Sequence, residues 1–138
     1  MRLFNIWSTS CESCVNEFPD LAAIYRQYSK REFEFIPISL DSTDSVEEVT
    51  KFLKRHQCGL SSRTKSLLDK EGRTTNNLIL DGDTEALVKA LDHKWDGGTP
   101  YTFLVGPEGK ILFSHSGEIE PRALKKAIVK QVWESNAE

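Results

Sequence analysis

Leu3-Phe4-Asn5-Ile6-Trp7 is a short apolar run closed by the polar cluster Ser8-Thr9-Ser10, after which Phe18, Leu21, Ala22, Ile24, Tyr25 and Tyr28 recur at helical spacing. The pattern predicts a strand that runs directly into a helix. Phe33 to Leu40 reads as a second strand, and the polar segment from Asp41 to Asp44 supplies capping residues for a helix through Val46, Val49, Phe52 and Leu53. Pro37 has no N–H to give to a neighbouring strand, which predicts an edge position for this element. A strand-helix-strand crossover of this length makes the two strands parallel and the connection right-handed.

Between Cys58 and Asp83 the pattern weakens into Ser, Thr, Asn, Gly and Asp, interrupted by Leu67-Leu68 and Leu78-Ile79-Leu80. This stretch reads as loop with one short candidate strand. Asp83 can cap a helix carrying Ala86, Leu87, Ala90 and Leu91, which stops before Asp96-Gly97-Gly98. Tyr101 to Val105 and Ile111 to Ser114 flank Gly106-Pro107-Glu108-Gly109, the signature of two antiparallel strands joined by a tight turn. Pro121, followed by Leu124, Ile128, Val132 and Trp133, predicts a closing amphipathic helix. The expected fold is α/β: a mixed four-stranded sheet, with the Leu78 run as a candidate fifth strand, and helices on both faces.

At 138 residues and 38% hydrophobic content the chain has the size and apolar content of one domain, expected over residues 1–138. The formal charge is −3, with Lys and Arg scattered among Asp and Glu. With no basic stripe, nucleic acid and acidic membrane surfaces are poor partners. No apolar run approaches the roughly 18 residues that a membrane span requires. Three cysteines are too few for a disulfide-stapled scaffold, yet two of them, Cys11 and Cys14, lie three positions apart.

A C-x-x-C pair where a strand meets a helix puts Cys11 at the helix N-terminus, where unpaired N–H groups and the helix dipole favour a thiolate. The thiol pKa falls below the free value of about 8.5, which makes Cys11 the expected nucleophile. Cys14 sits a turn further in, beside Cys11 but more sheltered, and suits the resolving thiol that breaks a mixed disulfide.

The segment Phe4-Asn5-Ile6-Trp7-Ser8-Thr9-Ser10-Cys11-Glu12-Ser13-Cys14, with Glu17-Phe18-Pro19 after it, resembles thioredoxin-like proteins of the TlpA/ResA group. These are bacterial extracytoplasmic thiol-disulfide oxidoreductases. Gly98-Thr99-Pro100-Tyr101-Thr102-Phe103-Leu104-Val105 is similar to the cis-proline and strand near the end of that domain, and Gly106 to Lys110 to the hairpin that follows. The resemblance implies a thioredoxin fold and reductive exchange with protein disulfides, with apo-cytochrome c or another envelope protein as a client. It also implies an upstream thiol donor of electrons, no separate cofactor and a monomer.

Glu17 falls one turn after Cys14, so its carboxylate is placed to take or return the Cys14 proton, a role the resemblance also implies. Taken without the resemblance, a solvated first-turn glutamate is the stronger reading. A cis bond at Thr99-Pro100 would free backbone groups to pair with an extended substrate. Trp7 and Ser10, beside the dithiol, join Thr99 and Pro100 as candidate substrate-binding residues. Asn5 stands where thioredoxin carries a buried carboxylate, and the loss of that acid favours Glu17 as proton carrier. Ser10 and Ser13 replace the Trp and Pro common in the group, so redox poise and substrate shape are not carried over.

Core packing is the first reading for both Trp7 and Trp95, with a shield beside the dithiol second for Trp7 and a groove position second for Trp95. Cys58 has no partner at motif distance and reads as a buried structural thiol. His56, His93 and His115 lie in separate segments and are expected to be solvated or hydrogen-bonded, not ligands. Three other classes compete. A peroxiredoxin-type peroxidase would use Cys11 on a peroxide; Ser8 fits that pattern, but Phe4 stands where its proline belongs. A copper-binding module would use Cys11, Cys14 and a later His such as His115, although related carriers space their cysteines further apart. A redox-dead interaction domain would normally lack one of the two cysteines. Proteins of the TlpA/ResA group reach the cell envelope through an N-terminal signal or anchor, whereas this chain opens on its first core strand. Either upstream residues precede it and carry the only link to a membrane, or the protein is cytoplasmic.

Overall fold

The computed structural model of the chain describes residues 1–28, 33–56, 70, 77–91 and 95–137. The opening apolar run forms β1 (Arg2–Trp7), and the helical pattern after it forms α1 (Glu12–Tyr28). β2 (Glu34–Ser39) returns beside β1 in parallel, with Asn5 opposite Pro37 and Trp7 opposite Ser39. A short 3-10 turn (Thr43–Ser45) leads into α2 (Val46–Arg55). β3 (Leu78–Ile79), α3 (Thr84–Leu91), β4 (Tyr101–Val105), β5 (Ile111–Ser116) and α4 (Pro121–Ala137) follow.

Among the described residues the sheet is five-stranded, in the order β3-β2-β1-β4-β5, with the Leu78 run as the candidate fifth strand. The β1–β4 and β4–β5 pairs are antiparallel, the second as the hairpin pattern predicts. β2 is not the edge strand that Pro37 suggested, because β3 pairs outside it in parallel. Proline is tolerated because β3 meets only Ile38 and Ser39, so the residue with no N–H has no described strand beside it on that side. Gly109 closes the β4–β5 turn with φ +82°, a left-handed conformation that a residue with a side chain adopts at a cost. Its N–H donates to the Gly106 carbonyl at 3.0 Å.

Alternation along the strands divides the core into two layers. Leu3, Trp7, Phe35 and Leu104 pack against Phe18, Leu21 and Ile24 of α1, Val49, Phe52 and Leu53 of α2, and Leu124 and Ile128 of α4. On the other face Ile6, Ile36, Ile38, Tyr101 and Phe103 pack with Trp95 and with Leu87 of α3. Helices therefore cover both faces. Trp133, placed by periodicity on the apolar side of the closing helix, is 76% exposed. The buried stripe follows the four-residue step Leu124, Ile128 and Val132, and Trp133 falls about 100° further round the helix.

Candidate functional site

The chain leaves β1 at Trp7 and turns so that the Cys11 N–H donates to the Ser8 carbonyl at 3.3 Å. The Cys11 carbonyl accepts from the Val15 N–H at 3.1 Å, while its Sγ accepts from the Cys14 N–H at 3.2 Å. Cys11 thus caps α1, with sulfur in the place usually taken by a side-chain oxygen. Cys11 and Cys14 are joined as a disulfide, their Cα atoms 5.2 Å apart. Cys14 is completely buried and Cys11 is partly exposed, so an incoming sulfur can reach only Cys11.

The loop before the dithiol is held from β2. Asp41 accepts from the Thr9 N–H at 3.0 Å, from Thr9 Oγ1 at 2.7 Å and from Ser39 Oγ at 2.6 Å. Of the polar segment expected to supply capping residues, Asp41 serves as a strut for the Cys11 loop. The cap itself comes from Ser42 of the same segment, whose Oγ accepts from the Asp44 N–H.

Glu17 is 1% exposed, beneath the first turn of α1 and above the centre of the sheet. Its Oε1 accepts from Asn5 Nδ2 at 2.9 Å, and its Oε2 accepts from the Ile119 N–H at 2.7 Å. Asn5 Nδ2 also donates to Thr102 Oγ1 at 3.0 Å, across the β1–β4 pair. Burial raises the Glu17 carboxyl above its ordinary value of 4.5. The Ile119 and Asn5 hydrogen bonds pull it back, Glu118 adds a push upward and His115 a pull downward. A carboxyl raised in the folded state binds its proton more tightly than in the unfolded chain. Stability therefore falls as the pH rises from 4.5 through the folded value. Glu17→Gln should be more stable than the parent at neutral pH and lose that advantage at pH 4, as read by urea unfolding at the two pH values.

The Thr99–Pro100 bond is cis. Tyr101 pairs with Ile6, so Pro100 lies at the end of the sheet where β1 runs into the Cys11 loop. Pro100 is buried and Thr99 half-buried, and the Pro100 carbonyl accepts from the Gly117 N–H at 2.9 Å. Ser10 is exposed next to Cys11. Trp7 does not line a surface: its ring is completely buried, 4.9 Å from both Phe18 and Phe52. β1 points it into the core with Leu3, the core place that is its first reading, and its buried ring offers no surface to a substrate. Trp95 is core too, stacked on Tyr101 and donating from Nε1 to the Gly98 carbonyl at 2.8 Å.

His56 packs on Phe52 with ring centroids 4.4 Å apart, and burial chiefly, then Arg55, lowers its pKa. His115 Nε2 lies 2.9 Å from the Glu118 carbonyl oxygen. Cys58 and His93 lie outside the described residues. Among the described residues no three His, Cys, Asp or Glu side chains are grouped so as to hold a metal ion. Sequence reasoning missed Thr102, Ile119 and the part played by Asp41. Thr102 carried one faint signal, a polar residue inside an apolar strand, whereas Ile119 acts through a backbone N–H that any residue type would supply.

A model of the AhpC/TSA family matches residues 2–114 of the chain. The thiol-disulfide oxidoreductase ResA of Bacillus subtilis is 27% identical over 108 residues, 78% of this chain. The chain spans about half the length of that relative, 48%. Among solved structures, a thiol:disulfide interchange protein of the thioredoxin family from Chlorobium tepidum superposes with TM-score 0.67 at 17% identity, over 94% of this chain and 78% of the other. A thioredoxin-related protein from Neisseria meningitidis does so with TM-score 0.64 at 22% identity, over 94% and 83%. These two likenesses show the thioredoxin fold, and from the match over residues 2–114 the chain belongs to the AhpC/TSA family.

Proposed function

We propose that the protein is a thiol-disulfide oxidoreductase that exchanges the Cys11–Cys14 pair with disulfides of protein substrates. The observation that carries this reading is the asymmetry of the pair: an accessible sulfur capping α1, with its partner fully buried behind it. In the reduced enzyme the helix terminus stabilises a Cys11 thiolate. That thiolate attacks one sulfur of a substrate disulfide, forming a mixed disulfide and releasing the other substrate sulfur as a thiolate, which takes up a proton. Glu17, one turn beyond Cys14, accepts the Cys14 proton. The Cys14 thiolate then attacks Cys11 Sγ, closes the disulfide and expels the second substrate thiolate. Two electrons have passed to the substrate, and an upstream dithiol returns the enzyme to its reduced form.

Pro100, at the end of the sheet where β1 runs into the Cys11 loop, together with Thr99 before it and Ser10 next to Cys11, forms the proposed seat for an extended substrate segment. The reductive direction, an extracytoplasmic setting and a part in envelope redox homeostasis or cytochrome c maturation rest on the resemblance of the motif blocks to the TlpA/ResA group. No helix among the described residues is long and apolar enough to cross a membrane. We read residues 1–138 as a single thioredoxin-like domain that works as a monomer.

The deciding experiment is insulin-disulfide reduction with dithiothreitol as electron source, together with the reduction potential of the pair. Reduction above the dithiothreitol background and a two-electron transition near about −270 mV are expected. A transition near about −120 mV would recast the protein as an oxidant. Peroxide consumption without insulin reduction would favour the peroxidase reading instead.

A further inference from the structure

Asn5 occupies a position where an apolar side chain would suit most of its surroundings. It lies between Leu3 and Trp7 on the core face of β1 and is completely buried. Asn5 Nδ2 donates to Glu17 Oε1 and to Thr102 Oγ1, which engages both amide hydrogens, while Oδ1 has no partner. A buried acceptor left unpaired is costly, and a leucine would avoid that cost. What the asparagine supplies in return is a donor aimed at one particular carboxylate oxygen.

The other oxygen, Glu17 Oε2, accepts from the Ile119 N–H. A backbone N–H can only donate, so a proton arriving on Glu17 belongs on Oε1. There it would meet the Asn5 NH2, donor against donor. Half a turn of the amide resolves the clash: Oδ1 then accepts from the protonated Oε1 and from the Thr102 hydroxyl. The two ends of an amide have nearly the same shape, so the turn needs no repacking.

We propose that Asn5 is the positioning residue of the exchange reaction: held by Thr102, its amide donates to Glu17 while the carboxylate is charged and accepts from it once the proton has arrived. This deepens the role given to Glu17 above and rests on it, but the pairing itself exists whether or not the protein turns over. The other charged groups facing Glu17 are Glu118, in the segment before α4, and His115 on β5, cross-strand from Thr102. They act in opposite senses and stay in place in every variant below. On α1 Cys14 and Asp20 each lie three positions from Glu17.

The test uses the full chain, oxidised so that neither Cys11 nor Cys14 titrates. NMR follows the Glu17 side-chain carboxyl carbon and the Asn5 side-chain NH2 from about pH 3 to pH 9. In the parent the two signals should share one midpoint. Asn5→Leu should move the carboxyl midpoint up by about one pH unit, since a donor to the charged form is lost. Thr102→Val should move it the same way by less, and Thr102→Ser should restore the parent value. In the reduced enzyme the pH profile of insulin reduction should move with the carboxyl. An Asn5 amide that ignores the Glu17 titration, or a folded Asn5→Leu variant with the parent midpoint, would overturn the proposal. Should Asn5→Leu fail to fold, the Thr102 pair decides, and equal midpoints for Thr102→Val and Thr102→Ser would sink it. Linked midpoints in a protein that never reduces insulin would reject the oxidoreductase reading and leave the Asn5–Glu17 pairing standing.

Discussion

Cys14→Ser is expected to turn the protein into a trap for its substrates. The accessible Cys11 sulfur still attacks, but a serine hydroxyl does not displace a thiol, so the mixed disulfide accumulates in place of the released product. Cys11→Ser removes the only sulfur of the pair that an incoming substrate can reach, because Cys14 is fully buried. Turnover of insulin disulfide should fall by at least about a thousandfold in both variants, as expected for loss of a reacting group. Only Cys14→Ser should yield adducts, seen as added mass under non-reducing conditions and lost with dithiothreitol. Adducts of equal amount on the two variants would mean that the sulfurs are equally accessible, contrary to the burial seen here, and would remove the order of attack assigned above.

Phe18→Ala should cost about 3–5 kcal/mol of folding stability, the range for truncating a fully buried aromatic. Phe18 is completely buried, with ring neighbours on three elements: Trp7 at 4.9 Å, Phe52 at 5.3 Å and Phe35 at 6.0 Å. No single side chain can close over the space it leaves. Phe18 also follows Glu17 directly and packs on Trp7, the last residue of β1 before the Cys11 loop. The variant should therefore lose exchange activity at temperatures where the parent is still folded. Phe18→Leu, which keeps most of the volume, should cost less than half as much. Urea unfolding of the oxidised proteins measures both, and a loss below about 1.5 kcal/mol for Phe18→Ala would show that the surrounding rings relax into the space.

Much of this architecture was legible in the chain. The apolar run Leu3 to Trp7, the helical recurrence from Phe18 to Tyr28 and the hairpin around Gly106 to Gly109 each obey one local period or one turn chemistry, which a sequence displays directly. The placement of Cys11 at a helix N-terminus follows from the same local logic, since capping is decided within a turn of the residue concerned. The departures share a different cause. Pro37 was read as marking an edge because proline lacks a donor, but whether another strand lies outside β2 depends on residues some forty positions away. The Asp41 to Asp44 segment supplies its cap from Ser42, while the Asp41 carboxylate is taken by Thr9, thirty-two positions earlier in the chain, which no local pattern displays. Trp7 and Ser10 were grouped by nearness in sequence, and burial separates them.

By itself, then, the sequence determined where strands and helices form, that the dithiol sits where one becomes the other, and which of its two sulfurs lies nearer the helix end. Those properties arise from interactions within one turn or one strand. Only the tertiary structure decided what surrounds Glu17. Its partners come from β1, from β4 by way of Asn5, and from the segment before α4, and Ile119 lies 102 positions along the chain. A carboxylate is buried or solvated according to what packs over it, and its proton affinity follows that burial. No period or motif encodes such a distance, because the energy that sets it is shared among groups that meet only when the sheet closes.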